Sequence, residues 1–361
     1  IVSDAFRATL AFLLVLVGRP ADLLPVLDSL KPAKLLALSA LLLFAFGRLL
    51  TANWRFSRAP QDKLMLALAC AILASTLGSS DVAASSALFT DSFVKIIILY
   101  VLIRQLVETP QRTAALQLTL ACICTLLGLY ALYAKLTGQA TVEGSRAGFV
   151  GLLGDPNDLA LVLLMYVPFL FEGVLASAGW RRWLLAIQLG LLMAGMVSTL
   201  SRGGFLGLGA ALAVACSDRG SLRLRLTLLP LGALFLVLLA FIAGVGQRQS
   251  GGLEGEGLDE SAQGRLDAWR AGGRMLMRHP LFGVGFGRFA DNYESYASDS
   301  VIWGKHETHN SYIKVAAETG IAGFVPFIGL VALTFLAGFR LRRLKLQDAG
   351  IERAARRAIL P

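Results

Sequence analysis

Apolar residues along this chain come in long unbroken runs, and short breaks rich in Gly, Pro and Arg separate them. About 20 apolar residues carry a helix across the hydrocarbon core of a membrane. The runs place candidate spans at roughly 5–18, 34–50, 63–78, 92–107, 113–135, 158–176, 183–199, 203–216, 224–245 and 310–338. None shows the in–out alternation of a membrane strand. The predicted fold is all-α, a polytopic transmembrane helical bundle of about 10–12 spans. A transmembrane region covers 1–245, a long loop with amphipathic helices 246–309, a final span 310–338 and a basic tail 339–361. Ala5–Gly18 reads as a span and not as a cleavable signal, because further spans follow it at once.

Lys and Arg in short loops set the orientation. Arg48, Arg55, Arg58 and Lys63 mark an inside loop. So do Arg104 with Arg112, Arg181 with Arg182, and Arg219 with Arg223 and Arg225, and the tail (Arg340, Arg342, Arg343, Lys345) is inside too. Segment 79–91, with Asp81 and Asp91 and no base, reads as an outside loop. The alternation then puts 136–157, 199–203 and 246–309 outside. Only 19–33 runs against it, an outside loop that holds Arg19 and Lys31.

Composition narrows the class. Of 361 residues 56% are hydrophobic and 16% charged, against about 45–50% and about 25% in soluble proteins. A soluble enzyme and a disordered chain are excluded. The net charge of +10 orients loops and meets anionic membrane lipid, so no nucleic-acid partner is implied. The four cysteines (Cys70, Cys122, Cys124, Cys216) lie in apolar runs, with neither a disulfide framework nor metal spacing. All three histidines fall late in the chain.

Candidate chemistry gathers at the outside breaks. Arg202, in Ser201-Arg202-Gly203-Gly204, is a cation near membrane depth, a functional hypothesis by default. The alternative is an arginine that snorkels to the interface. In 246–309, Gly251–Glu260 reads as a solvated linker. Leu266, Trp269, Gly273 and Leu276 then recur at helical spacing beside an Arg270, Arg274, Arg278 stripe that His279-Pro280 ends. That is an amphipathic helix suited to the outer interface. The glycine-rich Gly283-Val284-Gly285-Phe286-Gly287 follows no nucleotide-binding strand and reads as tight turns. Arg265 and Arg288 can each grip a phosphate bidentately, or be plain surface charges. His306 and His309 have no third ligand nearby for a metal. A histidine at the mouth of a bundle, beside arginines, reads better as a general base. Lys314 and Glu318, at i and i+4, are expected to neutralise each other. In Gly154-Asp155-Pro156-Asn157, Asp155 and Pro156 suit a helix start; the same loop can hydrogen-bond sugar hydroxyls.

Several of these segments together resemble the superfamily of bacterial O-antigen ligases, O-antigen repeat polymerases and pilin oligosaccharyltransferases. His309-Asn310, nine residues, then Gly320-Ile321-Ala322-Gly323 is similar to its histidine motif. The Gly-Asp-Pro-Asn loop, the Ser-Arg-Gly-Gly break and Arg265-x-x-x-Trp269 add to the likeness, which runs from about Gly148 to Gly338. The resemblance implies a multi-pass enzyme of the bacterial inner membrane with a periplasmic site. Its donor would be an undecaprenyl-diphosphate-linked glycan and its acceptor, for a ligase, lipid A-core. His309 would be the catalytic base and Arg202, Arg265 and Arg288 the diphosphate ligands. Asp155, Asn157, Trp269, Arg270, His306 and Asn310 are candidate glycan or acceptor contacts. Neither cofactor nor metal is expected, because arginines can meet the leaving charge that other glycosyltransferases meet with a divalent ion. A repeat polymerase and a protein oligosaccharyltransferase share the donor and differ in acceptor. A lipid-linked glycan transporter is more distant: it calls for midplane charges or repeated broken helices, and no internal repeat is visible.

Overall fold

A computed structural model describes residues 2–52, 54, 56–139, 141–142, 146–149, 153–217, 260–297 and 307–343. The expected span 224–245, the linker 251–259, His306 and the tail beyond 343 lie outside the described residues. The helices are α1 (Val2–Gly18), α2 (Pro20–Leu23), α3 (Pro32–Leu50), α4 (Pro60–Leu77), α5 (Val82–Leu88), α6 (Val94–Leu106), α7 (Pro110–Thr137), α8 (Pro156–Ala176), α9 (Gly179–Ser198) and α10 (Arg202–Ser217), followed by α11 (Glu260–Arg278), α12 (Phe289–Tyr296) and α13 (Ser311–Arg343). The described strands form one short hairpin, β1 (Thr141–Val142) antiparallel to β2 (Arg146–Ala147), with Thr141 opposite Ala147. Among the described residues five helical stretches are long and apolar enough to cross a membrane: Pro32–Leu50, Val82–Leu106, Pro110–Thr137, Pro156–Ala176 and Ser311–Arg340. The architecture is that of an all-α polytopic membrane protein.

Two segments depart from the sequence reading. Asp81 does not lie in the middle of a loop but opens α5, its carboxylate accepting from the Ala84 N–H at 2.9 Å. A π-turn over Phe89–Phe93 then carries the helix into α6. Asp81 and Asp91, with no base between the neighbouring apolar runs, suggested a loop. Small hydroxyls are tolerated in helices because they can bond to carbonyls a turn back, as the Thr90 hydroxyl does to Ser86. Segment 19–33 folds into α2 and a 3₁₀ turn, Pro25–Leu30. There Arg19 pairs with Asp22, so the charge that ran against the orientation rule is matched locally.

The helices fall into two units, one built from α1–α3 and α7–α10, the other from α4 to Val101 and α11–α13. In the first, α1 packs on α3 and α7, and α8 on α7, α9 and α10. Its buried centre includes Ile123, Leu127, Leu159, Leu163, Leu192 and Met196. In the second, α13 packs on α4, α11 and α12. Its core joins Ala268, Ala271, Met275, Val284, Phe289, Tyr293 and Ala317. The Leu266, Trp269, Gly273, Leu276 stripe, read as suited to the outer interface, is not the face of α11 that joins this core. Small residues face α13 instead, and a Cβ on Gly272 would stand 2.4 Å from Ile313 Cγ2. Closeness, rather than side-chain bulk, selects the packed face.

Candidate functional site: two polar clusters at helix breaks

In the first unit the Gly-Asp-Pro-Asn loop and the Ser-Arg-Gly-Gly break form one network. Asp155 caps α8, accepting the Asn157 N–H at 2.8 Å, with Pro156 at the first helical position. The Asn157 carboxamide oxygen accepts from the Ser201 hydroxyl and from Arg146 Nη2, each at 2.9 Å. Arg146 Nε donates to the Thr199 carbonyl at 3.2 Å. Ser201 in turn caps α10, its hydroxyl accepting from the Gly204 N–H at 3.2 Å. Leu200, held at φ 51°, makes the tight reversal between α9 and α10. The outcome is an exposed Arg202 at the first turn of α10, on a backbone fixed from beneath. Arg146, only 5% exposed, escaped the sequence reading. Its signal was a lone cation before an apolar run, which must find acceptors if buried.

In the second unit a loop is spliced into a helix. A continuous α-helix would pair the Ile321 N–H with the Ala317 carbonyl and the Ala322 N–H with the Glu318 carbonyl. Gly320, at φ 62° and ψ −164°, breaks that ladder. The Ala317 carbonyl accepts instead from Val284 N at 3.0 Å, and that of Glu318 from Gly285 N at 3.3 Å. The Ile321 and Ala322 N–H groups donate to the Pro280 and Leu281 carbonyls at 2.8 and 3.1 Å. The four backbone groups freed by the break are thus all satisfied by the glycine-rich loop. Such satisfaction is what permits irregular backbone within a spanning helix.

Side chains secure the same loop. The Ser75 hydroxyl donates to the Glu318 carbonyl at 2.6 Å and the Ser85 hydroxyl to the Phe286 carbonyl at 2.9 Å. The Glu318 carboxylate, 4% exposed, accepts from the Gly287 N–H at 3.0 Å and the Phe289 N–H at 3.2 Å. The expected Lys314–Glu318 pair is corrected here: Lys314 Nζ lies 2.6 Å from Glu307, and Glu318 serves the loop amides. Between those two amides stands Arg288, 2.8 Å from Asp291 and 3.6 Å from Asp81.

The turn before α13 holds His309. Trp269 Nε1 donates to the Thr308 carbonyl at 2.9 Å, tying α11 to the turn. The Asn310 side-chain oxygen accepts from the Tyr312 and Ile313 N–H groups at 3.0 and 3.3 Å, capping α13. His309 itself is exposed, at φ 46°. That left-handed conformation is uncommon outside glycine, though His is among the residues enriched there. Arg265 is exposed on α11, whereas Arg270 pairs with Asp267 at 3.0 Å. Below them burial pushes the Tyr293 phenol above its ordinary pKa, with Asp267 adding to the rise and Arg274 opposing it. Trp269, Arg265, Arg288, His309 and Asn310 thus share the second unit, and Arg202, Asp155 and Asn157 the first. Among the described residues no group of three or more His, Cys, Asp or Glu side chains is placed to hold a metal ion.

A polytopic helical membrane protein with arginines presented at helix breaks, and an exposed histidine before its last span, is the class that fold and site define. Residues 187–328 match the family model described as O-Antigen ligase. The match supports the likeness to the O-antigen ligase superfamily read from the histidine motif. No curated protein and no solved structure matches the chain.

Proposed function

We propose that this protein is an inverting, metal-independent glycosyltransferase that moves O-antigen glycan from undecaprenyl diphosphate to lipid A-core at the periplasmic face of the inner membrane. One observation carries the reading: the segment matched to the O-antigen ligase family, 187–328, contains Arg202, Arg265, Arg288 and His309. The chemistry follows from those side chains. An acceptor hydroxyl oxygen forms the new bond to the anomeric carbon while its proton passes to the His309 imidazole. The bond from that carbon to the diphosphate oxygen breaks on the opposite face, so the configuration inverts. Undecaprenyl diphosphate leaves, and guanidinium groups, planar and permanently charged, meet its negative charge.

The test is reconstitution of the full chain with undecaprenyl-diphosphate glycan and purified lipid A-core. Glycosylated lipid A-core is the expected product. Lengthened lipid-linked glycan without transfer to core would assign a repeat polymerase instead, and movement of intact donor between leaflets a transporter. His309→Ala is expected to lose roughly 10²–10⁴-fold in turnover, the usual contribution of a positioned base, with donor binding retained. An unchanged rate in that variant would remove His309 from the chemistry.

A further inference from the structure

Glu318 is a carboxylate inside the last span that the reaction above does not use. Burying an unpaired charge is costly, so its partners define its task. Both carboxylate oxygens are taken by backbone N–H groups, those of Gly287 and Phe289. These are the residues on either side of Arg288 in the chain. The loop that carries them is pinned further by Val284 and Gly285 to the broken ladder of α13, and by Ser85 to Phe286. The Arg288 side chain is held as well: Nε donates to the Gly287 carbonyl at 3.2 Å, and Nη1 lies 2.8 Å from Asp291 and 3.6 Å from Asp81.

We propose that Glu318 is a positioning residue: by holding the amides on both sides of Arg288, it fixes the backbone from which that guanidinium reaches a phosphate of the lipid-linked donor. The inference rests on the reading of Arg288 as a donor ligand. A carboxylate suits the task because it is acceptor-only, with an oxygen for each N–H, and charge-assisted bonds are the stronger kind. Glutamine at this position keeps one acceptor but turns an NH₂ group toward a backbone donor. The backbone break at Gly320 is left intact by such a change, because it depends on main-chain bonds.

The experiment uses the full chain in nanodiscs, with Glu318→Gln, Arg288→Ala and the double variant. Peptide-level hydrogen exchange over 284–290 is expected to quicken by about tenfold in Glu318→Gln, the effect of losing one charge-assisted bond, with α7–α9 peptides unchanged. The donor KM should rise by a similar factor, about tenfold, while kcat changes much less. The double variant should be no worse than Arg288→Ala alone, since residues acting through one another are non-additive. Ser85→Ala, which frees the Phe286 carbonyl and leaves the carboxylate in place, should move KM in the same direction by less. It supplies the test if Glu318→Gln does not fold. Unchanged exchange over 284–290 in Glu318→Gln, or additive losses in the double variant, would overturn the positioning role. For Ser85→Ala, an unchanged donor KM would do so. Full activity in Arg288→Ala with faster loop exchange in Glu318→Gln would instead refute Arg288 as a donor ligand and leave the loop anchor standing.

Discussion

Replacing Gly283 by alanine tests whether the glycine-rich loop is truly spliced into the last span. Gly283 sits at φ 70°, and a Cβ there would lie 2.3 Å from the Glu318 carbonyl carbon and 2.4 Å from the Ala317 oxygen. Both atoms are backbone in a helix that α4 and α11 already confine, so neither can swing away. The left-handed conformation alone costs an L-residue about 1–2 kcal/mol. Relief of the overlap must pull Val284 and Gly285 off their carbonyl partners, and each buried group left unsatisfied costs about 1–3 kcal/mol. The sum is a loss of roughly 3–8 kcal/mol for one added methyl group. Gly273→Ala is the internal control, since a Cβ there meets nothing within 4 Å. In mid-helix that change should be neutral or stabilise by about 0.5–1 kcal/mol. Thermal unfolding of the two variants in the same nanodiscs, followed by circular dichroism, compares them directly. Gly283→Ala should melt on the order of 5–10 °C below the parent. A melting temperature equal to that of Gly273→Ala would refute the close backbone approach.

Two further outcomes concern the arginines. Arg202→Lys keeps the charge but loses the planar fork, and should cost roughly 10²-fold in transfer with expression retained; near-normal turnover would make Arg202 a snorkelling residue. Transfer should persist in excess EDTA, measured in the reconstituted assay, and loss restored by magnesium or manganese would sink the arginine account.

What the sequence discloses follows the range of each interaction. The described apolar runs reappear as helices with ends shifted by a few residues, because apolarity over a turn or more is a property of the segment itself. The cap at Asp155-Pro156 is equally local, and it was legible. Glu318 was not: its i−4 neighbour Lys314 is the obvious partner, yet the groups that claim it, Gly287 and Phe289, lie about 30 residues earlier in the chain. Arg146, and the bonds that tie Asn157 down, were hidden in the same way, since Thr199 is more than 40 residues from Arg146 and Ser201 more than 40 from Asn157. On α11 the helical period was legible, but the face that packs on α13 was not. That face carries Ala268, Ala271, Gly272 and Met275, and α13 approaches closely at Gly272. Compositional rules see what a residue is, and these assignments turned on what stands opposite it.

The two breaks follow one physical rule. Each places a cationic or basic side chain next to backbone that a spanning helix could not ordinarily leave unpaired, and each resolves the backbone first. At Ser201 the network of Arg146, Asn157 and Thr199 satisfies the chain reversal before Arg202 emerges from it. At Gly320 the loop amides and carbonyls complete the ladder, and only then does the loop run on to Arg288. The order matters energetically. An arginine on an unsatisfied loop would pay twice, once for its own desolvation and once for the open backbone. With the backbone closed, the arginine alone carries the cost of its desolvation, and Arg202 is exposed at the first turn of α10. The glycines of 283–287, read from the sequence as tight turns, act at that first step: they let backbone meet backbone closely enough to hold the loop that carries Arg288.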